Sequence, residues 1–117
     1  MTQWEDSQPI YLQLRLLVLR RILSGSLAED EALPSIRQVA ADLRVNPLTV
    51  SRAYQLLTDE GLIYKRRGLG MFVSAGARER ALVAERGRFL QQEWPELRRR
   101  IAELDLALED LLAGEDS

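Results

Sequence analysis

The chain contains no cysteine and no histidine. The absence of cysteine excludes disulfides and thiolate chemistry, and the absence of histidine excludes imidazole as a general acid or base. Together the two absences deprive a zinc ion of its usual ligands. We therefore expect no catalytic residues, no metal site, no cofactor and no enzymatic activity.

Long apolar runs are also missing, since none approaches the roughly 20 residues that span a bilayer. Residues 1–6 lack the basic and then apolar order of a secretory signal peptide. Both observations predict a cytoplasmic protein without a membrane partner. The 117 residues are 46% hydrophobic, which suffices for the packed core of one ordinary domain, or of a small domain with an extension.

An excess of positive charge is absent as well, because the formal net charge is −2. The charges are unevenly distributed along the chain. Residues 1–76 carry nine basic and eight acidic side chains, whereas residues 77–117 carry seven and ten. All the cations except Lys65 are arginine, whose planar fork suits phosphate and guanine contacts better than a point charge does. The acidic total therefore does not exclude a nucleic-acid partner for the first part of the chain.

Two amphipathic segments precede residue 45. Apolar residues at a 3.6-residue period predict a helix over about 9–24, which Gly25 ends as a left-handed cap. Ser35 with Gln38 three residues later forms a capping-box pattern and predicts a second helix over 35–43. The segment between the two helices shows no clear periodicity and is predicted to be a loop.

A third helix and a hairpin follow after a short turn. Asn46 caps that helix, and Pro47 occupies its first position, where the missing N–H costs nothing. Gly61 ends it, and residues 62–64 and 71–74 then predict a β-hairpin with a longer turn. The order of these elements indicates a winged helix-turn-helix, a mainly α fold with a small β-wing that places one helix in a DNA major groove.

From Ala77 onward the pattern is helical again. Pro95 interrupts it and must kink the helix or start a new one. Apolar residues at alternating three- and four-residue spacing predict a heptad-like dimerisation seam, although such a stripe could instead line a ligand pocket. We predict two domains, a DNA-binding domain over 1–76 and a helical dimerisation tail over 77–117. The principal seam residues are Leu90, Trp94, Leu97, Ile101, Leu104 and Leu108.

The start of the third helix carries the candidate base-reading residues. The first exposed side chains of a recognition helix reach base edges, and here these are Asn46, Leu48, Thr49 and Ser51, with Arg52 further round. The hydroxyls can bond phosphate or bases, Leu48 can contact a thymine methyl, and Arg52 can bind guanine or a phosphate. The alternative is an ordinary capped surface helix, which the hairpin after it disfavours.

Further cations lie on the second helix and in the hairpin. Arg37 is predicted to contact phosphate or guanine, with a solvated arginine or an ion pair to Asp42 as the alternative. The hairpin tip carries three cations beside a glycine, which lets the backbone approach a sugar–phosphate edge. These tip residues are Lys65, Arg66, Arg67 and Gly68. The second basic triplet, residues 98–100, is predicted to be a solvated face or to pair with partner carboxylates.

These motifs resemble the GntR family of bacterial transcription regulators, over about residues 9–74. The matching segments are Leu33-Pro34-Ser35 with Arg37, Thr49-Val50 with Ala53-Tyr54, Glu60-Gly61-Leu62-Ile63, and Gly68 through Val73. Asn46-Pro47 replaces the Ser-Arg common in the wider family, and the short helical tail resembles the YtrA subfamily. The DNA-binding positions that the resemblance implies are Arg37, Asn46, Pro47, Leu48, Thr49, Ser51, Arg52, Arg67 and Gly68.

The resemblance implies a homodimeric repressor that binds a near-palindromic operator. A ligand-gated repressor with an unidentified small-molecule effector between the tails is one alternative, and a winged-helix module that binds protein is another. The family's aminotransferase-fused branch needs hundreds more residues. Relatives often break the helix near Leu104-Asp105-Leu106, which leaves open whether residues 107–113 fold back or continue the seam.

Overall fold

The computed structural model describes residues 3–114 and is mostly helical with one two-stranded antiparallel sheet, as predicted. The first two residues and the last three, which belong to the two predicted domains, lie outside the described residues. Two compact units divide between Leu82 and Val83. The elements are α1 (Ile10–Ser24), α2 (Ile36–Leu43), α3 (Pro47–Asp59), β1 (Ile63–Arg66), β2 (Gly70–Val73), α4 (Ala77–Arg88), a π-helical turn (Phe89–Glu93), α5 (Trp94–Glu103) and α6 (Leu108–Ala113).

The predicted caps form at the ends of the first three helices. Gly25 ends α1 with φ of 86°, a left-handed conformation that glycine adopts without strain. The Ser35 hydroxyl accepts a hydrogen bond from the Gln38 backbone N–H at 3.0 Å, which starts α2. The Asn46 side chain does the same for α3, accepting from the Leu48 N–H at 2.8 Å. These local bonds fix the end of α1 and the starts of α2 and α3.

The core of the first unit lies between α1 and α3 and extends to the hairpin. Leu19, Ile22, Val50, Leu57 and Ile63 are almost completely inaccessible to solvent. Ala77 and Ala81, from the first two turns of α4, are buried in the same cluster. The beginning of α4 therefore packs with the winged helix, while the domain division at residue 76 remains a prediction.

The hairpin is widened by a neighbouring backbone segment. β1 and β2 pair from Ile63 opposite Val73 to Arg66 opposite Gly70. Residues 30–33 then run along the other edge of β2, where the Asp30 N–H donates to the Val73 carbonyl at 2.8 Å. The predicted loop after α1 therefore supplies a short pairing edge that holds the wing against the helices.

Side chains tie the ends of these elements together. The Arg15 guanidinium on α1 makes a two-pronged bond to the Glu60 carboxylate at the end of α3, with both N–O distances 2.7 Å. Arg80 on α4 donates to the Gly61 carbonyl, and Arg78 donates to the Leu23 carbonyl at 2.8 Å. The entry to α4 is thus fixed to both the turn between α3 and β1 and the C-terminal end of α1.

The second unit is a series of short helices. The π-helical turn ends at Glu93, two residues before Pro95, and the Trp94 N–H donates to the Phe89 carbonyl five residues back. Proline lacks an N–H and its ring clashes with the carbonyl four residues earlier, so a new helix starts there, as one of the two predicted outcomes. Asp105, with φ of 58°, then interrupts the helical conformation again before α6. Of the two outcomes left open for residues 107–113, a helix continuous with α5 does not form, because α5 ends at Glu103 and α6 is a separate helix.

No helix within residues 3–114 is both long and apolar enough to cross a membrane.

Candidate nucleic-acid interface

The first turns of α3 present a row of accessible side chains. Leu48 is 75% exposed, Pro47, Ser51 and Arg52 are exposed, and Thr49 is half-buried. The opposite face of α3 is buried in the core, as predicted from the spacing of its apolar residues. The structure therefore holds the candidate base-reading residues on one outward face with a fixed rotation about the helix axis.

Asn46 has two chemically different ends in this arrangement. Its Oδ1 accepts the bond that caps α3. The amide nitrogen is a donor only, so it is the end suited to an acceptor on a DNA base or backbone. Capping and DNA contact can therefore be separated by substitution at this one position.

Arg52 lies against an aromatic ring that the sequence interpretation did not select. Its guanidinium carbon is 3.8 Å from the centre of the Tyr11 ring, in the first turn of α1. That distance is a cation–π contact. Sequence spacing could not have found the pair, because forty residues separate the two and only tertiary packing brings them together.

The three cations of the wing have different surroundings. The Arg66 guanidinium lies 4.7 Å from the centre of the Phe72 ring, and Tyr64 lies on the same face of the hairpin. The Tyr64 hydroxyl donates to Asp30 Oδ1 at 2.8 Å, and this hydrogen bond raises the pKa of Tyr64. Neighbouring residues of a strand face opposite ways, so Lys65 faces the other side. Arg66 is therefore held on the outer face of the hairpin.

The hairpin turn exposes Arg67, Gly68 and Leu69. Gly68 has φ of 78°, a conformation that disfavours any side chain, and the Leu69 N–H closes the turn on the Arg66 carbonyl at 2.9 Å. Leu69 is 70% exposed. Arg67 and Gly68 were predicted from the sequence as site residues, whereas the exposed Leu69 beside them was not.

A groove of about 400 Å³ lies between α2, α3 and the hairpin. The groove is lined by Ser35 and Ile36 at the start of α2, by Ser51 and Gln55 on α3, and by Lys65 on the wing. The structure thus brings the start of α2, the Ser51–Thr58 part of α3 and the inner face of the hairpin around one concave surface. Gln55 was not among the predicted residues.

Arg37 lies beside that groove, exposed in the first turn of α2. The Asp42 carboxylate accepts a hydrogen bond from the Gln38 amide at 2.8 Å. No salt bridge among residues 3–114 joins Asp42 to Arg37, so the alternative of a local ion pair is wrong.

Tyr54 fixes α3 relative to the segment before α2. Its ring is 3% exposed, and its hydroxyl donates to the Pro34 carbonyl at 2.8 Å. Burial raises the pKa of Tyr54 to about 12, partly opposed by the charge of Arg21. This bond connects α3 to the residue that precedes the N-cap of α2, and so holds the two helices of the helix-turn-helix together.

The predicted seam residues lie in the second unit, on the π-helical turn, α5 and α6, except Leu104, which follows the last residue of α5. Leu90 is 60% exposed and Leu104 is 54% exposed, and Leu97 and Leu108 are exposed too. Ile101 and Trp94 are half-buried, and the Trp94 ring stacks on Phe89. Arg99 pairs with Glu96 and Glu103 of its own helix, so part of the basic triplet is neutralised within the chain.

Comparison with known proteins places the chain in a family. The profile described as "Bacterial regulatory proteins, gntR family" matches residues 10–73, which span α1 to the end of β2. The uncharacterized HTH-type transcriptional regulator YhcF of Bacillus subtilis is 34% identical over 113 residues, covering 96% of this chain and 91% of YhcF.

The HTH-type transcriptional repressor YtrA of Bacillus subtilis is 39% identical over 73 residues, covering 62% of this chain and about half, 56%, of YtrA. A GntR family transcriptional regulator from Listeria monocytogenes superposes with a TM-score of 0.74 at 28% identity, covering 94% of this chain and 95% of the other. The profile match, the near full-length relative and the shared winged-helix fold lead to one conclusion: the chain belongs to the GntR family of bacterial regulatory proteins and is a DNA-binding transcription regulator.

Proposed function

We propose that this regulator is a homodimeric cytoplasmic repressor that binds a near-palindromic operator with α3 in the major groove and the wing against the flanking backbone. The observation that carries the proposal is the groove shared by the start of α2, the Ser51–Thr58 part of α3 and the wing. Arg37 on α2, Arg52 on α3 and Arg67 in the hairpin turn add exposed positive charge to the same elements, although the chain as a whole is acidic.

The proposed division of labour follows from exposure and chemistry. Leu48, Thr49 and Ser51 on the outward face of α3 meet base edges, because the first turns of a recognition helix enter the groove. Arg67 and the Gly68 backbone meet a sugar–phosphate edge at the wing tip. Contacts of the second kind set position and affinity, and contacts of the first kind set sequence preference.

The tail supplies the second half of the proposal. Leu90, Leu97 and Leu104 expose about half or more of their surface within a short stretch. An apolar stripe of this length on a soluble chain is typical of a surface that a second copy covers. An isologous pairing then presents two recognition helices to the two halves of a palindrome.

The test starts with duplexes that the full chain selects from a random pool. Each neutralised phosphate contributes about −0.9 to the slope of log affinity against log salt. We expect Arg67→Ala to weaken binding to the selected duplex and to make this slope shallower by about one such contact. Arg20→Ala removes an exposed cation from the C-terminal half of α1 and serves as the matched control.

Failure of the chain to select any duplex would favour the alternative of a protein-binding module. Equal affinity of the parent and Arg67→Ala at every salt concentration would remove the wing from the interface.

A further inference from the structure

Tyr11 and Arg52 form a contact between the opening helix and the recognition helix. The guanidinium carbon of Arg52 lies 3.8 Å from the centre of the Tyr11 ring. Tyr11 is half-buried and packs against the core, whereas Arg52 is exposed. The ring is therefore the fixed partner, and the arginine is the mobile side chain that it holds.

The position of Arg52 on α3 explains why this restraint matters. Residues three and four apart share a helix face, so Arg52 lies one turn beyond Leu48 and Thr49 on the accessible side. A free arginine at this point could extend toward the bases or turn back to the sugar–phosphate strand. Stacking on Tyr11 directs the side chain toward α1, at the edge of α3.

Stacking leaves the charge available for an anion. The guanidinium carbon lies over the Tyr11 ring, and the N–H donors that are not directed at the ring remain available at the edge of the planar group. A stacked arginine therefore keeps the donor edge that a phosphate recognises. It also loses less side-chain freedom when that phosphate arrives, because part of the ordering has already taken place.

We infer that Tyr11 is a positioning residue for DNA binding, which holds Arg52 against α1 so that the guanidinium contacts a backbone phosphate and does not read a base. The inference rests on the proposed function, since it assumes that α3 enters the groove. It extends the interface to the first turn of α1, outside the helix-turn-helix and the wing.

A double-mutant cycle on the full chain tests the inference, with a short random-sequence duplex and a selected duplex as probes. We expect Arg52→Gln to weaken binding to both probes about tenfold, with a salt slope shallower by about 0.9. We expect Tyr11→Leu to weaken binding about threefold to tenfold in the parent and less than about twofold in the Arg52→Gln background.

Two controls separate positioning from general stability. Tyr11→Phe keeps the ring face and should bind like the parent, and thermal unfolding of each variant shows whether the fold is intact at the assay temperature. A Tyr11→Leu loss of equal size in both backgrounds would indicate a merely structural role and overturn the inference.

Other outcomes also decide against the inference. A loss for Tyr11→Phe as large as that for Tyr11→Leu would assign the effect to the hydroxyl. A loss for Arg52→Gln confined to the selected duplex would make Arg52 a base-reading residue. If Arg67→Ala behaves as expected while the cycle shows no coupling, only this inference fails; if the parent binds neither probe, the proposed function fails first.

Discussion

Substitutions at Arg37 can show whether this side chain contacts a guanine base or a backbone phosphate. It is exposed at the start of α2 beside the groove, and Asp42 is engaged with Gln38. Lysine preserves the charge but cannot make the bidentate contact that arginine makes with guanine. We expect Arg37→Ala and Arg37→Lys to weaken binding to a selected duplex by a similar amount, about 1–3 kcal/mol, and binding to random DNA much less.

Competition titrations of the two variants against both duplexes give the measurement. Recovery of most of the affinity by Arg37→Lys would instead identify a phosphate contact, because the lysine charge still neutralises a phosphate even without the fork.

Tyr54 makes the stability of the first unit sensitive to alkaline pH. Burial raises the pKa of Tyr54 from 10.0 to about 12 in the folded chain. Below pH 10 the phenol is protonated in both states, so stability is unaffected there. Between about pH 10 and 12 the unfolded chain loses its proton first, and up to roughly 2–3 kcal/mol of folding free energy is lost.

Denaturant unfolding at neutral pH and near pH 11.5 checks this expectation. Tyr54→Phe should be less stable at neutral pH by about 1 kcal/mol, because the bond to the Pro34 carbonyl is gone. It should lose less stability than the parent on going to high pH. Parallel pH profiles for parent and variant would exclude Tyr54 as the group responsible.

At the scale of the element, α3 depends on Asn46 for its start. The side-chain oxygen caps the helix at 2.8 Å, and the amide nitrogen is the candidate contact to DNA. Asn46→Ala removes both groups and should cost about 1 kcal/mol of stability as well as DNA affinity. Asn46→Ser keeps a capping oxygen without adding charge, so its stability should stay near that of the parent while affinity still falls. Thermal melts and gel shifts on the same preparations separate the two effects, and full affinity in Asn46→Ser would limit Asn46 to capping.

Those elements that local signals define were predictable from the sequence. Ser35, Asn46 and Gly25 act within a few residues of themselves, so the bounds of α1, α2 and the start of α3 follow from the chain alone. The pairing of residues 30–33 with β2 was not predictable, because backbone hydrogen bonds leave no side-chain pattern. An interruption of the helix at Pro95 was predicted, but the π-helical turn that precedes it was not.

Some features of the candidate DNA interface were likewise predictable from the sequence, and others were not. The exposed row on α3 follows from helix periodicity, and the hairpin follows from the glycines of the turn. The turn is shorter than predicted, however, so Lys65 and Arg66 lie on β1 and not at the tip. The separate environments of the wing cations do not follow from the sequence, because Arg66 meets Phe72 only when β2 folds back on β1. Tyr11 reaches Arg52 only through the packing of α1 on α3, a long-range contact without a local signature.

At the scale of the whole molecule, the tail decides whether the chain can hold two operator halves at once. Leu97 and Ile101 lie one turn apart on α5, on the proposed seam. The double change Leu97→Asp and Ile101→Asp places two carboxylates where a second copy would bury them, at high cost. We expect a monomer whose winged helix remains folded, with operator affinity lower by about a hundredfold or more, because linkage of two half-site contacts raises affinity by that order.

The matched control moves both carboxylates one position along α5, to Arg98→Asp and Ala102→Asp, which rotates them away from the seam by about 100°. This variant should stay dimeric and keep most of its affinity. Analytical ultracentrifugation and gel shifts on both variants decide the matter. A seam variant that remains dimeric would move the dimer interface elsewhere, whereas a true monomer that binds the full operator as tightly as the parent would show that α3 and the wing supply the whole affinity. Loss of dimer and loss of affinity together, in the seam variant alone, would tie the exposed apolar residues of α5 to recognition of a two-fold site.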